Sequence, residues 1–299
     1  MKEIVSIAVL LLAVYLLLAA LMYVFQRRLI YYPTPFDKNF NAAEVSIDNR
    51  GTRLHGWVLN PGKTRAVIYF GGNSEPITQR SGYFEDVFRD YSVYLINYRG
   101  YGNSAGSPSE AGLFSDALAI YDWVSTRHAS ITAYGRSLGS GVAVYLAAHR
   151  PLEKLILLTP FDSVAEIAQK VYPLFPVAYL IKDRFDSAAR AGDIQIPVLI
   201  ISAEFDRVVK LAHTLALKQR FTGAALDYRM IAGAAHDNIT DFPEYRDTIK
   251  RFLAKRRGGL HPPLRSLSPR FIGRQNSGYA WRFLRWFWIP PNTALASLC

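Results

Sequence analysis

The first thirty residues differ in polarity from everything that follows them. Residues 4–25 (IVSIAVLLLAVYLLLAALMYVF) carry no charge, and as a helix they would span roughly 33 Å, enough to cross a bilayer. This pattern predicts an N-terminal transmembrane anchor over residues 1–30. A cleaved signal peptide fits less well, because the apolar run is longer than the usual h-region of a signal peptide and no small-x-small cleavage site follows it. A core helix of this length without charge at a chain end is also a weaker interpretation.

The charges that flank the apolar run say little about its direction. Lys2 and the α-amino group lie on one side, and Arg27 and Arg28 lie on the other. Because the two sides nearly balance, they do not decide on which side of the membrane the rest of the chain lies.

Residues 31–257 alternate between short apolar runs and helical patterns. Two opening runs joined around Asn49-Arg50-Gly51 predict a hairpin, at 43–48 and 52–59. Six runs of branched and apolar side chains predict strands covered on both faces, at 65–70, 91–97, 130–134, 154–158, 197–202 and 226–231. Helical spacing predicts helices at 110–127, 138–150, 208–221 and 243–257. The alternation predicts one doubly wound α/β domain with a mostly parallel sheet.

The charge distribution separates a third segment from this domain. The chain has a net charge of +11, yet residues 255–299 contain eight basic side chains and no acidic one, which leaves 27 basic against 24 acidic residues elsewhere. The body therefore gives no indication of nucleic-acid binding. The basic, aromatic tail, 258–299, is expected to be poorly ordered. It is either a segment for an anionic membrane interface or an extension without a role.

The single cysteine limits the chemistry that the chain can use. It is Cys299, the last residue, so an intrachain disulfide and a cysteine-rich metal site are both excluded. We expect neither a metal ion nor a cofactor.

A candidate nucleophile lies where a predicted strand meets a predicted helix. Residues 135–139 read Gly-Arg-Ser-Leu-Gly and match the G-x-S-x-G pattern, which places a serine on a sharp turn above a sheet. Ser137 is therefore predicted to be the nucleophile. Since Ser140 and Gly141 follow directly, an ordinary turn of small residues is the alternative interpretation.

A serine nucleophile needs a base, and the base needs an acid that orients it. On this type of sheet the acid and the histidine follow later strands in that order, which selects Asp206 and His236. Asp162 is the main alternative acid, Glu204 lies two residues from Asp206, and His213 could line the site. The remaining histidines are expected to be ordinary ones: His55, His128, His149 and His261.

The oxyanion hole is expected to use two backbone N–H groups. One belongs to Leu138, the residue after the nucleophile. The other is assigned to Asn73 in the loop Gly71-Gly72-Asn73-Ser74, for which a flexible turn is the alternative.

Several segments together resemble a known family. They are QRRLIYYP at 26–33, NYRGYGNSAGSPS at 97–109, GRSLGSG at 135–141, FDS at 185–187 and GAAH at 233–236. This set is similar to the membrane-anchored, serine-aminopeptidase-like branch of the α/β-hydrolase superfamily, over roughly residues 1–255. The resemblance implies Ser137, Asp206 and His236 as the catalytic triad. One departure is Gly71-Gly72, where many relatives have His-Gly.

Residues 159–196 are too few for a large cap domain and predict a short helical lid, broken at Pro173 and Pro176. Its apolar side chains line an acyl pocket, face lipid, or pack on the core. We expect a membrane-anchored serine hydrolase that cleaves a carboxylic ester or thioester of a small molecule or lipid. An acyltransferase or peptidase with the same triad, and a non-catalytic binding protein, are the alternatives. The sequence specifies neither the natural substrate nor the oligomeric state.

Overall fold

The computed structural model describes residues 1–255, in which eight strands form one sheet with the order β1-β2-β4-β3-β5-β6-β7-β8. The strands are β1 (Ala43–Asn49), β2 (Thr52–Leu59), β3 (Arg65–Phe70), β4 (Tyr91–Ile96), β5 (Ser130–Arg136), β6 (Lys154–Leu158), β7 (Val198–Ala203) and β8 (Leu226–Ile231). The pairs β1–β2 and β2–β4 are antiparallel, and all other neighbours are parallel. The predicted mostly parallel α/β fold is confirmed.

The opening hairpin has the turn that its sequence favours. Asn49 pairs with Thr52, so Arg50 and Gly51 form a two-residue loop. Both have positive φ angles, 52° and 83°. A two-residue loop with two positive φ angles matches the right-handed twist of the strands it joins.

The described residues form eight α-helices, which are α1 (Lys2–Ile30), α2 (Ser81–Val87), α3 (Glu110–Ser125), α4 (Leu138–His149), α5 (Val164–Val171), α6 (Val177–Leu180), α7 (Leu211–Lys218) and α8 (Pro243–Ala254). Helices α3 and α4 pack on one face of the sheet, and α2 and α8 pack on the other. The sequence patterns did not predict α2, because seven residues are too few to show helical periodicity. Two of its side chains, Phe84 and Val87, are buried.

Alternation along β3 divides the core into two layers. Ile68 belongs to the apolar cluster that α3 and α4 cover, whereas Val67 and Tyr69 belong to the cluster that α2 and α8 cover. Burying each large apolar side chain contributes about 1.5–3 kcal/mol to stability. Because both faces are covered, the site-bearing loops can lie only at the ends of the strands.

The N-terminal helix α1 is not part of this core. It is 29 residues long and apolar enough to cross a membrane, and none of its most apolar window is buried. The core-helix interpretation is therefore wrong. An N-terminal helix of this length and composition suits an anchor or a signal sequence.

Short helices fill the segment between β6 and β7. The helices α5 and α6 are separated by Pro173 and Pro176, and a 3₁₀ turn at Ala191–Asp193 precedes β7. The predicted tail, 258–299, and the last residues predicted for α8 lie outside the described residues.

Candidate active site

Ser137 occupies a strained turn between β5 and α4. Its backbone angles are φ 50° and ψ −119°, a conformation that costs a non-glycine residue about 1–3 kcal/mol and clusters at functional sites. Its N–H donates to the Leu158 carbonyl at 2.9 Å, and its own carbonyl accepts from the Ser140 hydroxyl at 2.6 Å. These contacts fix the turn in a position that exposes part of the side chain.

The two glycines of the G-x-S-x-G pattern are required by close backbone contacts. A Cβ at Gly139 would lie 2.0 Å from the carbonyl oxygen of Phe70, at the end of β3. A Cβ at Gly135 would lie 2.4 Å from the carbonyl oxygen of Gly139. The turn can therefore approach β3 only because neither residue has a side chain.

Asp206 and His236 form a direct, buried pair. Asp206 Oδ2 lies 2.8 Å from His236 Nδ1. The other oxygen, Oδ1, accepts from the N–H groups of Val208 and Val209 at 2.9 and 2.7 Å. The carboxylate is thus oriented by its own loop, and it directs Nε2 of the histidine away from itself. The same turn delays the start of α7 to Leu211, later than the predicted residue 208.

Backbone contacts join the loops that carry this pair. The Phe205 N–H donates to the Ala234 carbonyl at 2.8 Å, and the Gly233 N–H donates to Glu204 Oε2 at 2.8 Å. Glu204, a weaker candidate for the acid, therefore holds the loop that leads to His236.

The structure connects Ser137 to this pair through its neighbour in the chain. Arg136 Nη2 donates to the backbone carbonyl of His236 at 3.1 Å. Within the described residues, no hydrogen bond joins the Ser137 hydroxyl to the His236 ring. Such catalytic hydrogen bonds are often long before substrate binds and shorten in the complex with substrate.

The alternative acid has a different partner. Asp162 Oδ1 lies 2.7 Å from Nδ1 of His213 and accepts from the Ser163 N–H at 2.8 Å. Asp162 is therefore paired away from His236, and His213 is oriented by Asp162.

The other described histidines are paired with groups other than Ser137, Asp206 and His236. His55 lies 3.0 Å from Glu44, His128 lies 2.6 Å from the Tyr94 hydroxyl, and His149 Nδ1 donates to the Tyr145 carbonyl at 2.8 Å. His261 lies outside the described residues.

Two backbone N–H groups remain suited to an oxyanion. Leu138 begins α4, where N–H groups have no partner within the helix and the dipole favours negative charge. In the loop after β3, the Gly72 N–H is taken by Glu75 at 2.8 Å. In the described part of the chain, the N–H of Asn73 has no hydrogen-bond partner.

The Asn73 side chain has a role that the sequence did not suggest. Its Nδ2 donates to the Ile30 carbonyl at 2.5 Å, and its Oδ1 accepts from the Tyr32 N–H at 3.1 Å. The Tyr101 hydroxyl donates to the same oxygen at 2.9 Å. The loop after β3 is therefore fastened to the end of α1.

A buried ion pair lies between the loop and the serine turn. Glu75 Oε2 accepts from Arg136 Nη1 at 2.9 Å, and these side chains are only 4% and 8% exposed. Glu75 also accepts from Arg80 Nε at 3.0 Å and from the Tyr69 hydroxyl. Burial alone would raise the pKa of Glu75, but Arg136, the Gly72 N–H and Arg80 outweigh it and lower that pKa. The sequence patterns did not predict this pair, and the only signal for it in the sequence is the charged side chain of Arg136 inside the G-x-S-x-G pattern.

The described residues contain no cluster of three His, Cys, Asp or Glu side chains that could hold a metal ion.

The chain is similar in sequence to known proteins. No family model matches the chain. It is 34% identical over 250 residues to an uncharacterized protein of Mycobacterium tuberculosis, covering 77% of this chain and 88% of that protein. It is 28% identical over 201 residues to alpha/beta hydrolase domain-containing protein 17C of Xenopus tropicalis, covering 65% of this chain and 63% of the relative.

A solved structure shows the same fold. An esterase of Pyrococcus furiosus superposes with a TM-score of 0.60 at 20% identity, over 74% of this chain and 98% of the esterase. The chain belongs to the α/β-hydrolase superfamily. In this α/β hydrolase the turn that carries Ser137 follows β5 of the sheet. The Asp206–His236 pair follows β7 and β8, and all of these residues lie in the described part of the chain.

Proposed function

We propose that this α/β hydrolase is a membrane-anchored serine hydrolase that cleaves carboxylic ester or thioester bonds through Ser137, His236 and Asp206. The observation that carries the proposal is the strained φ of Ser137 beside an oriented, buried Asp–His pair. A non-catalytic scaffold has no need for a serine at positive φ or for a buried carboxylate aligned on a histidine.

In the proposed reaction, His236 Nε2 takes the hydroxyl proton of Ser137 as Oγ attacks the substrate carbonyl. Asp206 stabilises the imidazolium that forms. The N–H groups of Leu138 and Asn73 receive the negative charge on the tetrahedral oxygen. His236 then gives its proton to the leaving alcohol or thiol, which leaves an acyl group on Ser137.

Water completes the cycle by the reverse route. His236 removes a proton from a water molecule, which attacks the acyl carbonyl, and the carboxylic acid leaves as Ser137 regains its proton. The same fold in the Pyrococcus furiosus esterase supports ester hydrolysis as the reaction class. The long apolar helix α1 supports an anchor and an ester substrate that is close to a membrane.

Labelling with a fluorophosphonate probe tests the nucleophile and its base. We expect labelling of the wild type, none of Ser137→Ala and little of His236→Ala. Ser125→Ala, at an exposed position of α3, is the matched control and should label normally. Equal labelling of wild type and Ser137→Ala would refute the assignment.

The proposed anchor is tested separately. The mass of the protein purified from membranes should include residues 1–30, and these residues should be required for resistance to extraction by alkaline carbonate. A mature protein that lacks α1 would show that the helix is a signal sequence.

A further inference from the structure

An uncharged stretch in the lid exposes its apolar side chains. Residues 171–181 (VYPLFPVAYLI) lie between Lys170 and Lys182 and contain no charge. Leu174 and Tyr179 are 81% and 90% exposed. An uncharged stretch of this length is typical of a core helix or of an interfacial or re-entrant membrane segment. The exposure of Leu174 and Tyr179 argues against a core helix.

The stretch runs along α1 from the body towards the middle of the apolar helix. At its end, Asp183 accepts from Arg27 Nε at 2.9 Å. At its tip, the Tyr15 hydroxyl donates to the Leu174 carbonyl at 3.1 Å, and the Tyr15 and Phe175 rings stack with centroids 5.0 Å apart. Tyr15 and Arg27 are twelve positions apart in the helix, which corresponds to a rise of about 18 Å. If α1 crosses a bilayer, the tip therefore lies well below the headgroups.

Side chains satisfy the backbone of this irregular stretch. Gln169 donates to the Phe175 carbonyl at 2.9 Å and accepts from the Ala178 N–H at 3.0 Å. Gln26 of α1 donates to the Leu180 carbonyl at 3.4 Å.

The same glutamine accepts from the Lys182 N–H at 2.6 Å. The two prolines of the stretch, Pro173 and Pro176, have no N–H to satisfy. Irregular backbone in hydrocarbon requires such internal partners, whereas a loop in water does not.

A groove separates α6 from α1. It is open, has a volume of about 580 Å³, and is lined by Ala19, Ala20, Tyr179 and Leu180 among others. At its edge the Lys182 ammonium lies 4.2 Å from the centroid of the Tyr23 ring. An apolar groove with a cation at one end suits a lipid acyl chain below an anionic or phosphate headgroup.

We propose that residues 171–181 insert into the hydrocarbon of the same bilayer as α1, so that lipid acyl chains occupy the groove between the lid and α1. This rests on the anchor in the proposed function. Its consequence is that one wall of the active-site lid faces the bilayer, and a substrate with an acyl chain reaches the lid from the membrane instead of from water.

Site-directed fluorescence quenching tests this insertion. Because Cys299 is the only cysteine, the Cys299→Ser variant allows one label at a chosen position. Leu174→Cys would carry bimane in full-length protein reconstituted into vesicles of phosphatidylcholine with a minority of phosphatidylglycerol. Leu11→Cys in α1 is the membrane control, and Ser125→Cys, on the end of α3, is the aqueous control.

We expect a nitroxide in the middle of the acyl chain to quench Leu174→Cys to an extent comparable with Leu11→Cys, and aqueous iodide to quench only Ser125→Cys strongly. Tyr179→Cys repeats the measurement if the first variant does not fold. Quenching of both lid positions by iodide, with Leu11→Cys still quenched by the lipid nitroxide, would overturn the inference alone. An unquenched Leu11→Cys would overturn the anchor as well.

Discussion

Replacing Glu75 with glutamine tests the ion pair beneath the candidate site. The substitution keeps the shape of the side chain but removes the charge opposite Arg136, whose side chain is 8% exposed. Removing one partner of a buried ion pair costs about 3–5 kcal/mol, because the other charge stays desolvated. The Arg80 side chain is more exposed than that of Arg136, so water solvates its charge better once Glu75 is neutral. We expect Glu75→Gln to lower the free energy of unfolding by about 3–5 kcal/mol.

The same substitution should affect catalysis. The Gly72 N–H would lose its charged acceptor, and the next residue, Asn73, carries the N–H assigned to the oxyanion. A misplacement of about 1 Å can cost about 10²-fold in rate. We therefore expect kcat for a short p-nitrophenyl ester to fall about 10–100-fold with a nearly unchanged KM.

Unfolding by urea, in detergent, measures the loss of stability. Hydrolysis of the p-nitrophenyl ester measures the fall in kcat. Glu85→Gln, at an exposed position of α2, is the matched control. The double variant Glu75→Gln/Arg136→Met should recover much of the lost stability, since neither charge is then buried alone. A Glu75→Gln protein within about 0.5 kcal/mol of the wild type, as is usual for surface substitutions, would refute the reasoning.

The pH dependence of this difference has a definite sign. The pKa of Glu75 is lowered in the folded protein from its ordinary value of 4.5. The ionised carboxylate therefore stabilises the fold fully above that value, and its contribution is lost as the pH falls through the lower, folded pKa. The difference in Tm between wild type and Glu75→Gln should shrink below about pH 4.5.

Two further substitutions test the acid and the serine turn. Asp206→Asn should lower kcat about 10⁴-fold in an ester-hydrolysis assay, whereas Asp162→Asn should have a much smaller effect because Asp162 pairs with His213; equal losses would contradict the assignment. Gly139→Ala should destabilise the fold by more than about 3 kcal/mol, because its Cβ would lie 2.0 Å from a carbonyl oxygen. Gly82→Ala in α2 is the control: its Cβ would enter open space, and it should raise stability by about 0.4–1 kcal/mol. Thermal unfolding distinguishes the two, and a Gly139→Ala protein as stable as Gly82→Ala would disprove the close contact.

The sheet and the candidate residues could be predicted because both depend on chain order. Apolar runs identify buried strands, and the fold places an acid and a histidine after particular later strands, which selected Asp206 and His236. The ion pair of Glu75 and Arg136 could not be predicted in this way. Its members are 61 positions apart, and the G-x-S-x-G pattern does not specify the residue at position 136.

Local polar contacts also moved an element boundary. Apolar spacing alone extends α7 back to residue 208, but the Asp206 carboxylate binds two N–H groups in that stretch and holds it in a turn. The lid illustrates a different limit. The apolar pattern at 171–181 is the same for a segment that packs on a core and for one that is exposed, and the exposure of Leu174 and Tyr179 shows that these two side chains do not pack on the core.

The end of α1 joins the candidate site to the proposed membrane surface. Asn73 binds the backbone on both sides of Tyr31, and the Tyr31 hydroxyl donates to Asp183 at 3.1 Å, the residue that also binds Arg27. The loop assigned to the oxyanion and the end of the uncharged stretch of the lid are therefore held by the same few residues, at the end of α1 and directly after it. A shift of the lid in the bilayer would act on Asp183 and Tyr31, and through Asn73 it would reach the N–H group assigned to the oxyanion. In this geometry the end of α1 supports the candidate site structurally, in addition to the proposed role of α1 as a membrane tether.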